Sequence, residues 1–134
     1  MGYGKPGEAL GEVVIAEWHG ADIGNSVANT TLQGIIVIPF DCEITKVWVS
    51  GIAIGGTNDP TLDVFDEELG TPASIFSSAI TVDAAKDAYS GVPASTKGIR
   101  SEGDCLSVRA VTHATGGDLD KPTVKIVGKR RDVS

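Results

Sequence analysis

Acid–base or nucleophilic chemistry in this chain would have to start from His19 or His113, the two histidines present. A catalytic imidazole needs a hydroxyl or thiol to activate and a third group to orient it. Neither histidine has such company at a diagnostic spacing, and no Gly-x-Ser-x-Gly elbow presents a serine for acyl transfer. Cys42 and Cys105 lie outside any Cys-x-x-Cys pair or Cys/His set with zinc-like spacing, so they read as two free thiols. A cupin-like metal centre would need several histidines and a glutamate on neighbouring strands, which two separated histidines do not furnish.

Three weaker signals also resolve to ordinary surface. The run Gly51, Ile52, Ala53, Ile54, Gly55, Gly56, Thr57 echoes a phosphate loop, but the phosphate-binding lysine is missing and no helical pattern follows. Asp63, Asp66, Glu67 and Glu68 form an acidic patch that could draw Ca²⁺, as Asp118 and Asp120 could with less support. Neither group has the spacing of a calcium loop, and both are expected to be solvated turns. Asn29, Thr30 and Thr31 match a glycosylation acceptor, which has no meaning without a secretion signal. Aromatic residues make up 5% of the chain, too few for the usual sugar-stacking platform. Trp18 and Trp48 each fall inside a strand pattern, where packing against the core or a neighbouring subunit is the expected role. The expectation is a protein that is not an enzyme, with no cofactor and no metal.

Charge narrows the partners. A formal net charge of −7 disfavours a nucleic-acid surface, which needs a basic stripe. The one basic cluster, Lys129, Arg130 and Arg131, reads as part of a solvated C-terminal tail over residues 129–134. No run approaches the roughly 18 apolar residues of a membrane span, and Met1 to Gly11 lacks the charged-then-apolar order of a secretory signal. Synthesis in the cytosol, without membrane contact, is expected.

The elements that would position any site are strands. Val, Ile and Ala dominate the 41% hydrophobic content, and 134 residues suffice for one core without staples. Residues 1–11, with Gly2, Gly4, Pro6 and Gly7, read as a flexible arm ahead of a domain over 12–128. Glu12 to His19 reads as a first strand, with Val13, Ile15 and Glu17 on one face and Val14, Ala16 and Trp18 on the other. A long loop follows from Gly20 to Thr31. Leu32 to Ile38 is the strongest strand signal, apolar on both faces: Leu32, Ile36 and Ile38 against Ile35 and Val37. Such a strand calls for cover on both sides.

Further strands are expected at Cys42–Ser50, extendable to Ile54, and at Thr61–Asp66, Ser74–Val82 with an interruption at Ser77 and Ser78, Ile99–Glu102, Cys105–Val111 and Thr123–Val127. Asp83–Tyr89 could form a turn or two of helix, and Gly116–Pro122 reads as a loop. No internal repeat is visible. Eight or nine short strands with Gly, Pro and Asp turns predict an all-β fold, an antiparallel sandwich or jelly roll with at most one short helix.

Within Ile36 to Val49, the run Val37, Ile38, Pro39, Phe40, Asp41, Cys42, Glu43, Ile44, Thr45, Lys46, Val47 resembles the small jelly-roll decoration, or cement, proteins of tailed bacteriophages. Gly103, Asp104, Cys105, Leu106, Ser107, Val108 is similar to the glycine-aspartate turn that opens a late strand in the same proteins. The resemblance spans Leu32 to Val127 in the order of elements. It implies a homotrimer seated on the major capsid protein of a phage head, holding the shell together, with a virion location and no catalytic residues to carry over. Tyr3, Lys5, Trp18, Ile35, Val37 and Trp48 are the candidate oligomer or shell contacts, and the arm is expected to order on the shell. The alternatives are a receptor-binding head such as a fibre tip, or a glycan-binding module.

Overall fold

The computed structural model of the chain describes residues 12–54, 58–82, 88–113 and 118–131. Ten strands form: β1 (Glu12–His19), β2 (Leu32–Val37), β3 (Cys42–Ile54), β4 (Thr61–Asp66), β5 (Ala73–Ser74), β6 (Ile80–Thr81), β7 (Ala88–Gly91), β8 (Ile99–Arg100), β9 (Cys105–Val111) and β10 (Asp118–Arg130). Every pairing between them is antiparallel. The first sheet runs β1-β10-β3, with β7 and β8 both along the far side of β3; the second runs β2-β9-β4, with β5 and β6 both along β4. Counting β5 with β6 and β7 with β8 as single interrupted edges leaves eight strand positions, in the order of a jelly roll. No helix occurs among the described residues.

Alternation places the core between the sheets. On β4 the pattern is uninterrupted: Leu62 and Val64 are buried, and Thr61, Asp63 and Phe65 face outward at intermediate exposure. β9 contributes Leu106, Val108 and Ala110, β10 contributes Leu119, Val124 and Ile126, and β3 contributes Ile44, Val47 and Val49. Ile75, Phe76, Ile80 and Val82, around β5 and β6, close one side of this layer.

Three irregularities in the first sheet redirect side chains that strict alternation misplaces. On β1 the register shifts between Val14 and Ala16, so Ile15, Ala16 and Trp18 all pack on the core while Val13 and Val14 stay exposed. A classic bulge of this kind puts two residues opposite one and reverses the facing downstream of it. On β3, Thr45 is the additional residue, which is why Ile44 and Val47 are both buried although three apart. The partner at that point is Gly128, where an added Cβ would lie 2.1 Å from the Glu43 carbonyl oxygen. On β10, Lys121 and Pro122 sit between the registered residues Asp120 and Thr123, and Lys121 takes a positive φ of 51°.

Several expectations change accordingly. Gly116–Pro122, expected as a loop, is strand from Asp118 onward, because the bulge accommodates Pro122 without breaking the pairing on either side. Lys129 and Arg130, read as tail, are the last residues of β10; Arg130 stacks over Phe40 at 4.0 Å, and the Arg131 amide donates to the Asp41 carbonyl. The helical reading of Asp83–Tyr89 falls mostly on residues 83–87, outside the described residues, while Ala88 and Tyr89 begin β7. Ser74–Val82 divides into β5 and β6 around the two serines. The Gly20–Thr31 loop contains a core residue, Ile23, which exchanges backbone hydrogen bonds with Leu119 in both directions.

Candidate functional site

Among the described residues, His19, Cys42 and Cys105 stand apart from one another. His19 is exposed on β1, its Nδ1 3.4 Å from Thr123 Oγ1 and its Nε2 4.0 Å from the Glu17 carboxylate, with no thiol or serine beside it. Cys42 is buried on the core side of β3, and burial raises its thiol pKa above the ordinary value. That favours the unreactive thiol form. Cys105 is half-buried on β9, in the other sheet, and both cysteines are free.

The acidic patch resolves into four separate partnerships. Asp66, buried at the end of β4, lies 2.9 Å from Arg100 Nη1 on β8 and accepts the Glu68 amide. The Arg100 contact is close but not directed, since Nη1 makes no hydrogen bond of good geometry. It ties the second sheet to the first. Glu67 accepts from Ser107 Oγ at 2.6 Å and from Arg109 Nη2 at 2.7 Å, holding its carboxyl below the ordinary range. Glu68 accepts the Cys105 amide at 2.8 Å. Asp63 accepts from Ser74 Oγ and from the Val64 amide, yet its burial outweighs both bonds and raises its pKa. Carboxylates already engaged one by one do not converge on a cation, and no metal-competent cluster occurs among the described residues.

Two surfaces remain. The first is β2, an edge strand whose outer face is bare. The register shift between Leu32 and Gly34 turns Leu32 onto the same side as Ile35 and Val37, opposite Arg109, Ser107 and Cys105 respectively. Leu32 is 44%, Ile35 47% and Val37 57% exposed. The expected cover on both faces is therefore present on one side only, where Ile36 and Ile38 are buried. Beside these residues Arg109 stacks over Phe65 at 4.8 Å and bonds Glu67, so the outer face of the second sheet passes from an apolar edge to a fixed polar centre.

The second surface is the outer face of the first sheet. Trp48 stands there, 36% exposed, with Lys46 Nζ 5.1 Å from its ring centroid. Beside it is a concavity of about 260 Å³ lined by Glu17, Trp48, Ser50, Ala88, Thr123 and Lys125 together with Val49.

No family model matches the chain, and no curated protein matches it either. Among solved structures it is similar to a chain described as "Cyanophage Pam1 capsid asymmetric unit", at 17% identity and a TM-score of 0.52, covering 96% of this chain and 92% of that one. What the two share is the fold. The near-complete coverage of both chains means that the match takes in the sandwich as a whole rather than one hairpin.

Of the six contact residues singled out from the sequence, Tyr3 and Lys5 lie outside the described residues. Ile35 and Val37 come together on the bare edge, and Trp48 faces solvent on the other sheet. Trp18 is half-buried against the core, filling the space over two glycines: a Cβ on Gly20 or on Gly34 would lie 2.1 Å from its ring atoms. Leu32 was missed as an outer-face residue, since nothing local marks Gln33 as a bulge. The partnership of Arg109 with Glu67 was also missed; an arginine on β9 and an acidic residue in the turn just after the adjacent β4 would have been the signal to look for.

Proposed function

We propose that this chain is a capsid decoration protein that binds the outside of a phage head as a homotrimer, contacts the major capsid protein and stabilises the shell, with no enzymatic activity of its own. The observation that carries the reading is the unguarded edge of β2. Natural sheet edges are blunted by charge, proline, bulges or brevity, because open backbone groups beside apolar side chains invite another chain. Here β5, β6 and β8 are two residues long, β7 is four, and β1 carries Glu12, Glu17 and a bulge. β2 has its own bulge at Gln33, but beyond it, from Gly34 to Val37, the edge runs without charge, proline or further irregularity, and Ile35 and Val37 stand exposed beside Leu32. A seam between copies would cover that strip, and a preassembled oligomer would then grip several shell subunits through individually weak contacts.

The jelly-roll order of the strands and its likeness to a chain of a cyanophage capsid asymmetric unit support the same reading. A location on the virion follows from it. The test is uptake by heads of the parent phage that lack the protein. Wild-type chain should sediment with them and raise their resistance to heat, whereas the Ile35→Lys, Val37→Lys variant should stay in the supernatant. Heads that neither bind nor gain resistance from the wild-type chain would end the proposal.

A further inference from the structure

The concavity beside Trp48 is built by the register of three strands. Across the outer face of the first sheet, one row reads Glu17, Lys125, Trp48, Ser90, and the next reads His19, Thr123, Ser50, Ala88. A row holding the large indole and a lysine stem thus borders a row of smaller side chains over β10, β3 and β7. The difference in height makes the hollow. Its floor is Thr123, Ser50 and Ala88, and its wall is Trp48 with Lys125.

The indole is supported on one side and free on the other. Lys46, two residues before Trp48 on the same face, holds its ammonium over the ring at 5.1 Å. Ser50, two residues after, lies on the floor of the hollow, so the remaining ring face borders the open space. Trp48 has no glycine bed and no core contact comparable to those of Trp18. A half-exposed indole restrained by a cation keeps its stacking geometry without a ligand.

We infer that this hollow binds a single neutral pyranose ring, with the flat C–H face of the sugar on the free face of Trp48 and its hydroxyls on Glu17, Lys125, Ser50 and Thr123. The chemistry of the lining selects that class. Small-molecule sites combine an aromatic wall with a few convergent polar groups. Here the polar groups are one carboxylate that accepts, one ammonium that donates, and two hydroxyls that do either. Glu17 faces Lys125 across β1 and β10, and the Lys46 ammonium is engaged over the other face of the indole, so no pair of cations converges on the hollow as a phosphate or carboxylate ligand would require. A volume of about 260 Å³ suits one sugar unit at a chain end better than an extended oligosaccharide. With one stacking contact and an open rim, the dissociation constant should be on the order of millimolar. The inference does not rest on the trimer, whose proposed seam is on β2 of the other sheet.

The experiment is a ¹H–¹⁵N NMR titration of the full chain with the methyl glycosides of glucose, galactose, mannose and N-acetylglucosamine. The expected result is a saturable shift of the Trp48 indole N–H with at least one of them, while the Trp18 indole, packed on Gly20 and Gly34 away from the hollow, stays still. Trp48→Ala should weaken binding by about tenfold or more and Glu17→Gln by several-fold, both with unchanged unfolding midpoints, because neither side chain is core. Failure of all four glycosides to move Trp48 at tens of millimolar would overturn the proposal, as would equal binding by Trp48→Ala. A Trp48 signal that answers only to added phage heads would reassign the face to protein contact and overturn it as well.

Discussion

Trp18 and Trp48 show how much one residue's neighbours decide. Both lie on strands of the first sheet, yet Trp18 is bedded on Gly20 and Gly34 while Trp48 leans on Lys46. An alanine at position 34 would place its Cβ against the rigid indole edge. Gly34→Ala should therefore destabilise the chain by about 2 kcal/mol, an overpacking cost, and Trp18→Ala by about 3 kcal/mol, a cavity cost. Urea unfolding followed by far-ultraviolet circular dichroism measures both. Glu67 and Asp63 make a second residue-scale prediction, because their pKa values are displaced in opposite directions. Glu67 has its folded pKa held below the ordinary 4.5 by Ser107 and Arg109, so its stabilisation is complete above that value and is lost as pH falls through the folded pKa. Asp63 has its folded pKa raised above 3.8 by burial, so protonation in the window above 3.8 favours the folded chain as pH falls. Glu67→Gln should remove the acid-side loss, and Asp63→Asn should remove the opposing gain. Thermal melts between about pH 6 and 3 give both slopes, and identical profiles in all three proteins would contradict this assignment.

At the scale of elements, legibility tracked whether a strand's geometry is set within the strand or by its partner. β4 and β9 were readable because Leu62 and Val64, or Leu106, Val108 and Ala110, alternate without a break. β1, β2, β3 and β10 each carry a register shift that moves residues between faces. The causes sit elsewhere in the chain: Thr45 bulges opposite Gly128, where the close approach to the Glu43 carbonyl excludes any side chain. Pro122 misled for a related reason, since proline ordinarily argues against an inner strand. Between β1 and β3 it lies in a bulge, where its missing N–H costs no ladder bond. Of the β2 edge, Ile35 and Val37 were legible as the second apolar face, whereas Leu32 was assigned to the wrong one. The hollow beside Trp48 was not legible at all, because it depends on which residues of β10, β3 and β7 fall in one row. Gly128→Ala, which meets the Glu43 backbone, should destabilise the chain by about 2 kcal/mol or more in the same urea assay.

For the molecule as a whole, the jelly roll leaves two faces with different prospects. The β1 and β2 side exposes Val13, Val14, Leu32, Ile35 and Val37, while the outer face of the first sheet presents Trp48 among charged and hydroxyl side chains. A trimer closed through the β2 edge would hide the former and leave the latter to solvent, so shell binding and ligand binding need not compete. That arrangement stands or falls on the edge being a seam. Light scattering on size-exclusion fractions at micromolar concentration tests it most directly: the account predicts a particle near three times the 13.8 kDa chain for wild type and a folded single chain for Ile35→Lys. A wild-type protein that remains one chain across that concentration range, or an Ile35→Lys variant of undiminished mass, would contradict it.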